Sequence, residues 1–405
     1  MKTKTKKEVK LLDLQAQYSE IKDEIENTVL EVLRSGYYVL GPNVQAFEKE
    51  AAEYLGAKHA IGCANGSDAL YIALLALDIK PGDEVITTPF TYIATAEAIT
   101  QIGATPVFAD IKLDTFNIDP KEIEKKITSK TKAIILVHLF GQACEMQEIM
   151  AIAKKHNIRV IEDTAQAFGT RYRHKAVIAS EASRSSSLDC DVTNAPRNDY
   201  AGTIGDIGTY SFYPTKNLSC AGDGGLMTTN CDKLNERIRK IRAHGSSIRY
   251  YHDELGVNSR LDEVQAAILR IKLKHITRWN EARAELAKIY DEKLSKSENE
   301  NFRIITPTKI QESNHIYHQY SIRIEDKNNF DSSELRNSIK TKLQEAGIGS
   351  EVYYPLALHM QNIYADLGHK PEDFPNALKA AQTVLSIPVH PNLNAEDINY
   401  VIENI

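Results

Sequence analysis

The chain has 405 residues, room for two or three domains at roughly 150 residues each, and enough to bury a full core without disulfide or metal staples. Hydrophobic residues make up 42% and charged residues 26%, which excludes a chain disordered throughout. Lys plus Arg number 49 and Asp plus Glu 55, a net charge of -6. That balance argues against non-specific nucleic-acid binding but leaves room for a local basic pocket.

Residues 1–10 read as a floppy basic tail that leads into Leu11-Leu12-Asp13, with no apolar signal-peptide core. Tyr18 to Leu33 carries apolar residues at helical spacing, Ile21, Ile25, Val29 and Leu33. Gly36 stops that helix, and Gly41-Pro42-Asn43 turns the chain into a second one, Val44 to Leu55.

An alternating pattern follows. Ala60 to Cys63 is a strand, Ala69 to Leu77 an apolar helix, Glu84 to Thr88 a strand, Thr91 to Gln101 a helix and Pro106 to Ala109 a strand. Lys132 to His138 is a continuous apolar run, which predicts a strand buried on both faces. The apolar stretch Ala133 to Phe140 is about eight residues long, well short of the 20 or so that span a membrane, so no membrane partner is expected. Gln147 to His156 is helical, and Arg159 to Glu162, Thr209 to Phe212 and Gly225 to Thr229 are strands. Alternation of this kind predicts an α/β fold with a mainly parallel sheet.

From Ser259 the texture changes. The pattern predicts one long helix from Leu261 to about Leu294, a polar loop over 295–301, a strand His318 to Ile324, a helix Ser332 to Ala346, a short strand Ser350 to Tyr353 and a terminal helical region. This α+β pattern marks a second, smaller domain: 11–255 form the large domain and 256–405 the small one. The stretch 175–201 is polar, weakly periodic and interrupts two regular blocks, so it reads as an exposed excursion. Cysteines stand at 63, 144, 190, 220 and 231, with no C-x-x-C pair and no histidine at metal-ligand spacing. Five reduced thiols in a cytosolic protein without a metal are expected.

In an open parallel sheet, ligands bind beyond the carboxyl ends of the strands. Three segments fall there. Asn65-Gly66-Ser67-Asp68 lies between a strand and a helix: it is an anion site built on a helix start, or Ser67 or Asp68 simply caps that helix. Asp163 closes a strand, as a functional acid, a helix cap or half of a structural ion pair. Lys216 follows Tyr213-Pro214-Thr215 and meets Gly222-Asp223-Gly224-Gly225; it is a surface lysine, or a desolvated amine freed as a nucleophile. An anion site, an acid and an amine together are what pyridoxal 5'-phosphate requires for its phosphate, its pyridine nitrogen and its aldehyde. Tyr92 is placed to stack on a planar ring.

The blocks Ala64–Leu70, Thr88–Thr95, Glu162–Ala167, Gly205–Leu218, Gly222–Gly225 and Asn258–Ala266 resemble, in this order, the DegT/DnrJ/EryC1/StrS family of nucleotide-sugar aminotransferases. The resemblance runs from about Leu11 to the C-terminus and implies the fold type I architecture of the aspartate aminotransferases. By that resemblance, Lys216 would form the Schiff base and move the proton, and Asp163 would pair with the pyridinium. Gln166 would bond the ring's phenolic oxygen and Tyr92 would stack on the ring. Gly66, Ser67, Asp68 and Ser211 would hold the phosphate, reached also by Asn258 of a neighbouring subunit, which implies an obligate homodimer. His138, Arg260, Tyr353 and His359 would line the sugar side.

The reaction so implied is ping-pong: L-glutamate leaves its amino group on the cofactor, which passes it to a keto-sugar nucleotide. Gly222-Asp-Gly-Gly225 resembles members that act on 3-keto sugars, with 4-keto sugars as the alternative. A dehydrating branch of the family has His where this chain has Lys216. No G-x-G-x-x-G follows a strand, which argues against a nicotinamide enzyme. The retention of both Asp163 and Lys216 argues against a purely regulatory relative. The excursion at 175–201 departs from the family pattern and leaves substrate size open.

Overall fold

The computed structural model describes residues 7–173, 198–294, 300–329 and 331–405. Most of the predicted excursion, 175–197, lies outside the described residues, as do 1–6 of the basic tail and 295–299 of the expected polar loop. Residues 7–10 are docked, not floppy. Val9 is 2% exposed and bridges Ile348, and Lys7 pairs with Asp397 at 2.8 Å.

The main sheet has seven strands among the described residues: β1 (His59–Cys63), β2 (Glu84–Thr87), β3 (Thr105–Phe108), β4 (Thr131–Val137), β5 (Arg159–Asp163), β8 (Ile207–Ser211) and β9 (Gly225–Thr229). They lie in the order β1-β9-β8-β5-β4-β2-β3, and only β9 runs against its neighbours. β4 is buried except at Lys132, as its unbroken apolar run predicts for an inner strand covered on both faces. A two-stranded hairpin, β6 (Arg171–Arg173) with β7 (Asn198–Tyr200), joins the two ends of the excursion.

Helices α1 (Leu14–Glu20), α2 (Lys22–Ser35) and α3 (Pro42–Leu55) precede the sheet. The single helix expected over Tyr18–Leu33 is divided at Ile21, whose backbone leaves the helical region at φ -124°. Then come α4 (Gly66–Ala76), α5 (Ala94–Gln101), α6 (Pro120–Lys125), α7 (Met146–His156) and α8 (Asp232–Ile241). The long helix expected from Leu261 is two, α9 (Glu263–Leu273) and α10 (Ile276–Leu294). Lys274 and His275 donate to carbonyls three residues back, which over-tightens the turn and ends α9.

The C-terminal part holds β10 (Phe302–Ile305), β11 (Tyr320–Asp326) and β12 (Val384–Ile387) in one antiparallel sheet, with α11 (Ser333–Glu345), α12 (Pro375–Thr383) and α13 (Ala395–Glu403). The strand expected at Ser350–Tyr353 is only a single bridge, Glu351 to Ser386; β10 and β12 complete the sheet instead. Packing does not change at residue 256. Leu261, Leu269, Ile276 and Trp279 share a cluster with α3 and β8, whereas Leu286, Ala287 and Tyr290 join the C-terminal sheet. The change of partner falls inside α10. Cys63, Cys144 and Cys220 are free and buried. Cys231 is disulfide-bonded, which overturns the expectation of a reduced thiol there: an odd count still admits a pair.

Candidate active site

The six strands β1, β2, β3, β4, β5 and β8 end at one edge of the sheet, and the reversed β9 begins there. Gly225 is opposite Cys63 on one side and Ser211 on the other, so the ends of β1 and β8 are set by a single residue of β9. Just beyond β1, Asn65 caps α4 by accepting from the Asp68 N–H at 2.8 Å. The cap is therefore Asn65, not Ser67 or Asp68; Ser67 is left exposed and Asp68 half-buried. Gly66 opens α4 against the end of β8: a Cβ on Gly66 would lie 2.6 Å from Ser211 Cβ. Only a bare backbone fits, and it brings the helix start, with its unpaired N–H groups and positive dipole end, up to the Ser211 hydroxyl.

Asp163 ends β5 and is buried. Its carboxylate accepts from the Thr95 hydroxyl at 2.9 Å and from the Ala165 N–H at 3.1 Å. Burial raises its pKa; these two donors and the charge of Lys216 pull the other way. Lys216 keeps some contact with solvent, yet burial of the amine brings its pKa down to about 8, against the upward pull of Asp163. A turn from Lys216 N–H to Tyr213 O, 2.8 Å, fixes the loop on the near side. Gln166 is held by the Phe140 N–H on its carbonyl oxygen at 2.8 Å, so its amide nitrogen points to the Tyr354 hydroxyl, 3.1 Å away.

Gly66, Ser211, Asp163, Lys216 and Gln166 thus share one edge. The remaining expected residues stand differently. Tyr92 is 61% exposed, with its ring close enough to Tyr354 to raise that phenol's pKa further. Asn258 is exposed beside Ser259, whose hydroxyl accepts from Ala64 N–H at 3.1 Å just ahead of the α4 cap. Arg260 is half-buried, and Tyr353 is half-buried against the ring of Tyr354.

His138 and His359 do not face an open cavity. His138 is fully buried; its Nδ1 accepts from the Cys144 N–H at 3.0 Å, so Nε2 carries the proton and donates to Glu162 at 2.9 Å. Glu162 also accepts from the N–H groups of Gly202, Ile204 and Gly205, at 2.6 to 2.8 Å. His138 therefore belongs to a clamp on the far side of β5, because adjacent strand residues face opposite ways. His359 is 2% exposed and packs on Phe374 with centroids 4.7 Å apart, and burial lowers its pKa to about 4.

Sequence reasoning passed over Thr95 and Tyr354. Thr95 stands in the same block as Tyr92, three residues on, but on the opposite side of the chain: Thr95 is buried and Tyr92 exposed. Tyr354 sits beside a residue that was named. In neither case did residue type alone distinguish a site residue from a core one.

This set fits pyridoxal 5'-phosphate: a glycine-lined anion cradle, a buried acid with fixed donors and a desolvated amine near that acid. The family model described as DegT/DnrJ/EryC1/StrS aminotransferase matches residues 19–405. The chain is 46% identical to a protein of Geobacillus stearothermophilus named pleiotropic regulatory protein, over 98% of this chain and 97% of that one. It is 39% identical to a UDP-N-acetyl-3-dehydro-alpha-D-glucosamine 3-aminotransferase of Acidithiobacillus ferrooxidans, over 96% and 95%. The structure superposes on S. venezuelae DesV, solved in complex with a ketimine intermediate, with a TM-score of 0.87 at 36% identity, covering 98% of this chain and 97% of that one. Sequence blocks, sheet order and the edge that gathers Asp163 and Lys216 all lead to one conclusion: the chain belongs to the DegT/DnrJ/EryC1/StrS aminotransferase family.

Proposed function

We propose that this protein is a pyridoxal-phosphate-dependent aminotransferase that moves an amino group from L-glutamate to a 3-keto sugar carried on a nucleoside diphosphate. The observation that carries it is a buried carboxylate, Asp163, held by two fixed donors at the same sheet edge as the desolvated amine of Lys216. When bound, the cofactor supplies a carbonyl that accepts an amino group and a ring that takes up electron density. The chain supplies the rest. With a pKa of about 8, roughly a quarter of Lys216 is unprotonated at pH 7.5, against about a thousandth of an ordinary lysine. Its nitrogen can therefore both take and return a proton near neutrality. Asp163, held by Thr95 and the Ala165 N–H, has its carboxyl fixed where it would pair with a protonated ring nitrogen. Gly66 and Ser211 with the start of α4 would take the phosphate, and the Gln166 amide would orient the ring oxygen.

Amination at C3 is supported by the Gly222-Asp-Gly-Gly225 segment and by the name of the Acidithiobacillus relative. A homodimer is supported by exposed apolar residues: Tyr92 and Tyr213, close in sequence to site residues, and Tyr250, Tyr251 and Leu255 in the loop after α8, the last 95% exposed. Asn258 lies close behind Leu255 in sequence. Among the described residues no helix is long and apolar enough to cross a membrane. Cytosolic work in amino-sugar supply for surface glycans is part of this reading; the free thiols of Cys63, Cys144 and Cys220 support it and the bonded Cys231 counts against it.

The test is direct. The purified protein with pyridoxal phosphate should be yellow and should yield 2-oxoglutarate from glutamate when a 3-keto-sugar nucleotide is supplied. A colourless protein with no borohydride-reducible adduct on the Lys216 peptide would falsify the reading. Product from 4-keto sugars alone would move the amination to C4, and sugar turnover without 2-oxoglutarate would indicate a dehydratase.

A further inference from the structure

Behind the site edge, three buried amide and imidazole groups form a chain that passes through Asn217, the residue after Lys216, and ends on His318. The Asn280 side-chain nitrogen donates to the Phe168 carbonyl at 3.1 Å. Its oxygen accepts from Asn217 Nδ2 at 2.8 Å. Asn217 Oδ1 in turn faces His318 Nδ1 at 3.1 Å. A backbone carbonyl can only accept, so Phe168 fixes the direction of every bond: Asn280 cannot flip, Asn217 cannot flip, and His318 must carry its proton on Nδ1.

The chain is built for this purpose in two further respects. Asn280 approaches Gly169 so closely that a Cβ there would lie 2.9 Å from Asn280 Nδ2, and Gly169 has φ +94°. A glycine admits the amide. The imidazole is kept neutral by burial and by the two cations that act on it, Lys216 and Arg283. Arg283 itself donates to the backbone carbonyls of Tyr317, His318 and Val389, which fixes the segment that carries the imidazole.

We infer that His318 is a positioning residue for Lys216: through Asn217 it fixes the loop from which the amine projects, and so holds that amine in its dry setting beside Asp163. Three parts of the chain converge there: the turn after β5 (Phe168), the junction inside α10 (Asn280) and the approach to β11 (His318). The amine is thereby tied to the packing between the main sheet and the C-terminal sheet. This inference rests on Lys216 being the reacting amine.

The test uses the full chain freed of cofactor. Competitive acylation of Lys216 across pH, read by mass spectrometry of its peptide, reports how dry the amine is. Capture of added pyridoxal phosphate, read by absorbance, reports how well it is aimed. His318→Phe removes the donor and keeps a ring. Acylation at pH 8 should fall about fivefold as the amine regains water and protonates, and capture should slow about tenfold. His318→Gln, which keeps an N–H donor, should recover most of both. Asn280→Leu, which frees Asn217 from the other end, should reproduce the His318→Phe pattern and serves if that variant does not fold. Unchanged acylation and capture in both His318→Phe and Asn280→Leu would overturn the proposal. So would equal losses in His318→Phe and His318→Gln with the Lys216 titration unmoved, since that pattern belongs to packing alone. The acylation arm needs no cofactor, so it judges the inference even where the wild-type chain fails to capture pyridoxal phosphate, a result that would count against the functional reading instead.

Discussion

Gly66 and Ser211 are pressed together at the point where β8 meets α4: a Cβ on Gly66 would lie 2.6 Å from the Ser211 Cβ and 3.1 Å from its Cα. Gly66→Ala must push one element away from the other, at roughly 1–3 kcal/mol of overpacking. Ser211 ends a strand paired on both sides, so the start of α4 is the part that moves. The variant should fold but lose pyridoxal phosphate on dialysis, with affinity down about tenfold or more. Retention equal to wild type, measured by absorbance after exhaustive dialysis, would place the phosphate elsewhere.

Thr95 donates its hydroxyl to Asp163. Thr95→Val keeps the volume and removes the donor, leaving a buried carboxylate short of one hydrogen bond worth about 1.5–3 kcal/mol. The Asp163 pKa should rise further, and turnover should drop about ten- to a hundredfold with the far-ultraviolet circular dichroism unchanged. Asp163→Asn should be slower still, by about a hundredfold or more. A Thr95→Val enzyme with wild-type kcat would show that the hydroxyl does nothing for the acid.

Lys216 imposes a pH dependence on stability. Folding lowers its pKa from the ordinary 10.5 to about 8, so the folded cofactor-free chain holds fewer protons on this amine than the unfolded chain between those values. Stability from this group therefore rises with pH across that window, and its penalty is fully present below about 8. Lys216→Met should stabilise the cofactor-free chain by about 1–3 kcal/mol at pH 7, and the gain should shrink toward pH 10. Denaturant titrations at the two pH values measure it; a gain that grows with pH contradicts the assignment. The same variant should lose nearly all turnover.

Glu162 should matter to folding more than to chemistry. It accepts from His138 and from three backbone N–H groups. Glu162→Gln presents an amide N–H to groups that are themselves donors, and a loss of about 3–5 kcal/mol is expected in chemical denaturation. Glu285→Gln, at an exposed pair with Lys288, should cost less than about 1 kcal/mol. Similar losses in the two variants would deny the clamp its role.

Much of this was legible in the amino-acid order. The run Lys132 to His138 declared an inner strand because both faces of β4 are covered, so no polar alternation was needed. Asp163 and Lys216 could be chosen as residues at strand ends without knowing the sheet order. What could not be read was the register of neighbours. The Gly66–Ser211 contact joins positions 145 apart in number, and the link from Phe168 to His318 crosses three elements. His138 was placed on the sugar side by the family resemblance alone; which way its ring turns depends on Glu162, which is decided by the backbone of Gly202 to Gly205. Breaks inside helices were hidden for a similar reason, since the apolar spacing continues across Ile21 and across Lys274-His275.

One helix, α10, carries Trp279 in one apolar cluster and Leu286 and Tyr290 in another. A rod that is embedded at both ends resists hinging: swinging the C-terminal sheet away would require bending the rod or tearing one of its sockets, and close-packed interiors yield to neither gradually. The two sheets should therefore move as one body, and kinetics should show rapid-equilibrium loading without a slow opening phase.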